Sequence, residues 1–227
     1  MRCTTEELWP ADIASLLDVQ QRLGTLQPPP WCPDSSLVEL AAGVVVHTQG
    51  PGVAGERAWA GAVLVRGAHV IAAEIVEGVV SVPYVPALQS AREGPLLLAA
   101  LEALRRRPDV LLLPATGRDH PRHAGLALHM GFVLQLPSIG VTDRPLHAVG
   151  PLPGPLRGDT SALVLDGVEV ARWVRTVPGA RPVVAHAAWR TTGEVAAMLL
   201  LSATTGARAP WPLREARRLA RAARAGG

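Results

Sequence analysis

Apolar residues recur along the chain in two rhythms, and the changes from one to the other divide it into elements. From Thr4 to about Leu26 they follow helical spacing, with Thr4 and Glu7 at capping-box separation and the prolines at 28 to 30 ending the segment. The stretches Leu37 to His47, Ala58 to Val65 and Val70 to Val80 are short, β-branched and apolar, and the first two are joined through the glycine-rich Gly50 to Gly55 region. This pattern predicts three neighbouring antiparallel strands. After a proline-rich loop at Pro83 to Pro86 come a helix through Leu96 to Arg106 and a short buried strand at Val110 to Leu113. Strand, helix and strand in that order predict a parallel pairing. A helix near Ala124 to Met130 and a strand at Ser138 to Val141 lead into a loop rich in proline and glycine from Arg144 to Gly158. Strands at Ser161 to Leu165, Val168 to Val174 and Val183 to His186 follow, then helices from about Thr192 and Pro212. The pattern is that of one α/β domain over residues 1 to 227, without internal repeats.

Composition narrows this picture. Nearly half of the 227 residues are hydrophobic, enough for a continuous core, yet charge or proline breaks every apolar run well short of a membrane span. Glu6, Glu7 and Asp12 stand where a secretory or transit peptide would be basic, so the expected location is the cytoplasm. Cys3 and Cys32 are too few for a disulfide framework or a zinc-ligand spacing. All 22 basic residues are arginine, which excludes Schiff-base chemistry, and the net charge of +3 permits nucleic-acid binding without demanding it.

Two blocks carry specific chemistry. Val82-Pro-Tyr-Val-Pro-Ala-Leu-Gln-Ser-Ala-Arg-Glu-Gly-Pro95 resembles the hallmark of the endonuclease V family, a Pro-Tyr-Ile-Pro-Gly turn before a Phe-Arg-Glu-x-Pro helix start. Asp119-His-Pro-Arg-His-Ala-Gly-Leu-Ala-Leu-His-Met-Gly131 is similar to the family's His-Pro-Arg-x-x-Gly-x-Ala-x-His-x-Gly run, and Pro137-Ser-Ile-Gly-Val141 to the strand that follows. The resemblance is clearest over residues 37 to 197 and leaves the basic C-terminal helix at 212 to 225 outside it. It implies a ribonuclease H-like fold, a mixed α/β sheet flanked by helices.

Such a fold holds magnesium with carboxylates at strand ends. By resemblance, Val45 and Pro114 stand where the family has its aspartates, Asp143 where it has a lysine, and Trp189 where it has a histidine, while Glu93 matches. No metal ligand set and no cofactor is therefore expected. Glu93 is either a helix-cap carboxylate paired with Ser90 or an acid/base group, with Asp143 and His120 as its nearest helpers. His120, His123 and His129 mimic a metal cluster, but packing or phosphate contact suits them better. Asp143 and Glu194 also read as solvated surface charges. Tyr84, Pro86, Arg122 and His129 are the candidate nucleic-acid contacts, with Tyr84 in the turn that by resemblance wedges into a duplex beside the lesion base. Arg214, Arg217, Arg218, Arg221 and Arg224 form a stripe that either tracks phosphates or is a solvated face.

These residues support three functions. The first is a pseudo-nuclease that binds nucleic acid or a protein partner without cutting. The second is a scaffold recruited to metal-independent chemistry on a small molecule, in a cleft lined by Val45, Pro114, Thr116 and Trp189. The third is an active deoxyinosine-specific endonuclease with an unusual site. The aspartate replacements favour the first.

Overall fold

The computed structural model describes residues 9–10, 12–34, 38–48 and 53–226. Thr4, Glu7 and Cys3 lie outside them, so the capping-box expectation falls on residues not described. The first described helix, α1 (Ile13–Thr25), is capped by Asp12, whose carboxylate accepts the Ser15 amide at 2.8 Å.

Eight strands form one sheet: β1 (Glu39–His47), β2 (Glu56–Arg66), β3 (His69–Val80), β4 (Val110–Leu113), β5 (Ser138–Thr142), β6 (Thr160–Leu165), β7 (Val168–Val174) and β8 (Val183–Ala187). Their order is β3-β2-β1-β4-β5-β8-β7-β6. The first three are antiparallel neighbours, as their patterning predicts. The predicted parallel pairing is present, and its partner is β1. Helix α2 (Gln89–Ala103) carries the chain from edge strand β3 back across the sheet, so β4 lies beside β1, and β5 then lies parallel to β4.

Alternation along β1 shows how the two layers form. Leu40, Ala42, Val44 and Val46 face a core closed by α4 (Gly193–Ser202) and α5 (Trp211–Gly226). Ala41 and Val45 face the opposite core, closed by α1, α2 and α3 (Leu126–Leu134). Gly61 of β2 lets α5 approach closely, because a Cβ there would overlap the Ala216 carbonyl oxygen. Strands β1, β4 and β5 are parallel, so their C-terminal ends, at His47, Leu113 and Thr142, share one edge of the sheet. Among the described residues no helix is long and apolar enough to cross a membrane.

Candidate functional site

Two arrangements meet at that edge. The first is a clamped turn. Ala87 takes the place of the glycine in the family's Pro-Tyr-Ile-Pro-Gly turn and still adopts the left-handed conformation, with φ +62°. Three side chains donate to its carbonyl: Gln20 Nε2 at 3.3 Å, His120 Nε2 at 2.9 Å and Arg122 Nη2 at 3.0 Å. Arg122 also donates from Nε to Gln20 Oε1 at 2.7 Å. The clamp leaves Tyr84 and Pro86 exposed on the turn. Burial drops His120 to about 4, with the neighbouring Arg122 charge adding to the fall and the Ala87 carbonyl opposing it. The ring is thus a neutral structural donor.

The second arrangement is a buried charged network at the start of α2. Ser90 does not cap this helix; its Oγ accepts from Gln20 Nε2 at 3.1 Å, and the N-cap residue is Leu88. Glu93 is thereby released from the capping role. Its Oε1 accepts from His47 Nε2 at 3.1 Å and its Oε2 from Gln89 Nε2 at 2.9 Å. His47 is the last residue of β1, two positions beyond Val45 and so on the same face of the strand. Its Nδ1 lies 2.8 Å from Glu56 Oε1, which also accepts from Arg92 Nη2. Arg92, fully buried, donates from Nη1 to the carbonyls of Val53 at 3.0 Å and Val82 at 2.6 Å, tying the β1–β2 connection to the Tyr84 turn. Gln89 links this network to a cavity of about 160 Å³ lined by Tyr84, Pro114, Thr116, His120 and Thr142.

His47, Glu56 and Gln89 escaped the sequence reading, and Arg92 entered it only as part of a motif. Strand alternation places His47 on the face of Val45, but its pairing with Glu93 across 46 positions has no local signature.

Several expectations need correction. Trp189 does not line the cleft: β8 runs antiparallel to β5, so the chain leaving β8 arrives at the N-terminal end of β5, the opposite edge of the sheet. There the Trp189 amide donates to Ser138 Oγ at 3.1 Å, and its ring packs edge-on against Phe132. Val45 packs on the α2 side of the core and is not a wall of the cavity. His129 is fully buried and stacks on Trp9 with centroids 4.0 Å apart, so it is not presented to a ligand, and the half-buried Arg122 gives its Nε and Nη2 to Gln20 and the Ala87 carbonyl. Asp143 follows β5 at the correct edge, but its carboxylate pairs with Arg208, and no contact joins it to Glu93 or His120. Glu194 is a surface charge paired with Arg172. Pro114 and Thr116 do line the cavity.

Whether a divalent cation fits is decided by donors. Val45 and Pro114 offer no side-chain oxygen, while Glu93 keeps a carboxylate here, held by His47 and Gln89. Among the described residues no three of His, Cys, Asp or Glu converge on one point. Of the carboxylates that the resemblance implies, Glu93 alone stands at this end of the sheet among the described residues.

The model of the family Endonuclease V matches residues 32–218. The chain belongs to the endonuclease V family. An endonuclease V from Xanthomonas oryzae pv. oryzae is 39% identical over 140 residues, which cover 62% of this chain and 59% of that protein. The chain thus spans less than two thirds of that relative's length. The structure of an endonuclease V from Streptomyces avermitilis superposes with a TM-score of 0.81 at 33% identity, covering 95% of this chain and 94% of that one. That of Ciona intestinalis endonuclease V, in complex with a 24mer DNA containing an inosine followed by a ribo-adenosine, has a TM-score of 0.79 at 18% identity, covering 93% and 96%. The ribonuclease H-like α/β fold is therefore that of endonuclease V. These relatives overturn the expectation of a protein that no longer cuts, since proteins this similar are endonucleases V, and they lend the small-molecule alternative no support. The cavity also falls below the roughly 300 Å³ at which small-molecule sites begin.

Proposed function

We propose that this protein cuts nucleic acid at a phosphodiester, as an endonuclease V-type enzyme, with the strand lying across the C-terminal ends of β1, β4 and β5. The observation that carries this reading is the position of Glu93. It is the carboxylate shared with the family motif, freed from helix capping and bonded to His47 beside the cavity that Tyr84 lines. Cytoplasmic action by a single domain over residues 1 to 227 belongs to the same reading.

Cutting adds a water oxygen to phosphorus and expels an alkoxide, so one proton must be taken from the water and one given to the leaving oxygen. Glu93 is the more open member of the pair, with 14% of its side chain exposed against 7% for His47, and is the proton acceptor. His47, held between Glu93 and Glu56, orients the Glu93 carboxylate, and the proton for the leaving oxygen comes from solvent water. General acid–base catalysis contributes about 10²–10⁴-fold. Turnover by these residues alone is therefore expected to be slow. The Tyr84 turn, clamped through Ala87, presents its aromatic ring to the bases, where a wedge acts on stacking.

The test is cleavage of end-labelled duplexes with and without a single inosine, in DNA and in RNA. The expected result is a nick in the inosine-containing strand that is lost in Glu93→Gln and reduced in His47→Ala. Intact strands at high protein concentration, with binding still measurable, would overturn the cutting assignment.

A further inference from the structure

Helix α5 carries charge that its own surroundings do not neutralise. Arg218 is satisfied, donating from Nε and Nη2 to the Glu215 carboxylate at 2.8 and 2.7 Å. Arg217, Arg221 and Arg224 are not balanced in this way. Their i, i+4, i+7 spacing puts them on one face, over a length of about 10 Å. Neither Arg217 nor Arg221 has a hydrogen-bond partner among the described residues. Arg217 is half-buried, and its hold on its proton is weakened by desolvation and by the neighbouring Arg221, with Asp143 pulling the other way. Like charges one helical turn apart repel.

One contact and one longer-range attraction tie this stripe to the end of the sheet that holds the cleft. Arg224 Nη1 donates to the His47 carbonyl at 3.0 Å, fixing the end of the helix at the last residue of β1. Asp143, which directly follows β5 and pairs with Arg208, attracts the Arg217 charge without bonding to it. The stripe is thus tied near the ends of the same strands that carry the Glu93 network. The guanidinium is suited to this task because its planar fork matches phosphate oxygens.

We infer that Arg217, Arg221 and Arg224 form a phosphate track, outside the cleft, that holds the backbone of the bound nucleic-acid strand. This rests on the nucleic-acid reading above and adds the path of the strand. One strand of a duplex places phosphates at intervals of about 3.4 Å along the helix axis, so a stripe lying parallel to that axis spans about three phosphates. Such contacts fix position without reading sequence.

The experiment measures affinity of the full chain for a fluorescent duplex of random sequence across a series of salt concentrations. Each phosphate contact contributes about 0.9 to the slope of log affinity against log salt. Arg217→Gln, Arg221→Gln and Arg224→Gln are each expected to lower that slope by about 1 and to weaken binding equally for inosine-containing and plain duplexes. Lysine at the same positions should restore most of the slope, which separates charge from any loss of folding. Arg218→Gln, whose partner is Glu215, should change nothing. A steep slope that none of the three glutamine variants alters would overturn the track while leaving the proposed function standing. Absence of nucleic-acid binding by the unaltered protein at low salt would overturn both. Weaker binding to phosphatidylserine vesicles, with duplex affinity unchanged, would reassign the stripe to a membrane surface.

Discussion

His47 Nε2 lies 3.1 Å from Glu93 Oε1, joining the last residue of β1 to the first turns of α2. One short contact thus couples a side chain outside the family motif to the carboxylate inside it. Glu93→Gln keeps the shape and one acceptor but removes the charge, so it should cost about 1–2 kcal/mol of stability. Cleavage should fall by about 100-fold or more if Glu93 takes the proton from water. Urea denaturation and single-turnover cutting measure the two effects separately. Loss of stability with cutting unchanged would reduce Glu93 to a tether for His47.

Arg92 should be the more sensitive residue for folding. Its guanidinium is fully buried and holds Glu56 and two carbonyls from separate loops. Arg92→Met leaves a buried carboxylate without its cation, and removing one member of such a pair typically costs about 3–5 kcal/mol. The surface pair of Arg57 with Glu77, half-exposed on both sides, provides the contrast: Arg57→Gln should cost less than about 1 kcal/mol. Equal urea midpoints for the two variants would contradict the assigned role of Arg92.

Stability should fall with acid over a defined window. Burial holds both His120 and His186 at about 4, below the ordinary 6.5, with Asp119 opposing the shift at His186. Between these values the unfolded chain binds protons that the folded one refuses. The contribution is therefore complete above pH 6.5 and is lost as pH drops towards 4, by at most about 3 kcal/mol per histidine. Urea titrations at pH 7 and at about 4.5 should show the loss, and His120→Gln should make it smaller. A flat profile would mean that the rings are not buried in their neutral form.

Gly61→Ala tests how tightly α5 sits on the sheet. The new methyl would overlap the Ala216 carbonyl, which belongs to helix backbone and cannot rotate away. Helix α5 must then shift, at a cost of about 1–3 kcal/mol. The same shift would pull Arg224 off the His47 carbonyl, so weaker duplex binding should accompany the stability loss.

Much of the fold was legible because period-two alternation and turn residues are local. The three-stranded meander and the later strands follow from them, and the two motif blocks point to the family fold. The site was harder to read. Ser90 and Glu93 have capping-box spacing, yet the helix begins at Gln89, so Ser90 lies inside the first turn and bonds Gln20 instead. His129 and Arg122 matched a motif whose side chains can face either a ligand or the core, and only packing decides: one stacks on Trp9, the other binds a turn carbonyl. Resemblance to a motif puts Trp189 in the cleft, whereas antiparallel β8 delivers it to the far edge. The replacements at Val45 and Pro114 were visible from the start, but the conclusion that cutting had been lost did not follow from them, since they say nothing of the His47–Glu56–Glu93 network beside them.

Asp119 is fully buried and accepts the amides of Leu146, His147 and Ala148 at 2.7, 2.8 and 2.8 Å, in a stretch without regular secondary structure. In amide hydrogen exchange such a loop should behave like a strand, with these three protons persisting in deuterated solvent long after those of neighbouring exposed turns have gone. Leu146 also borders the cavity, so that wall is set when the chain folds, and its ordering entropy is lost before anything reaches the space beside Tyr84.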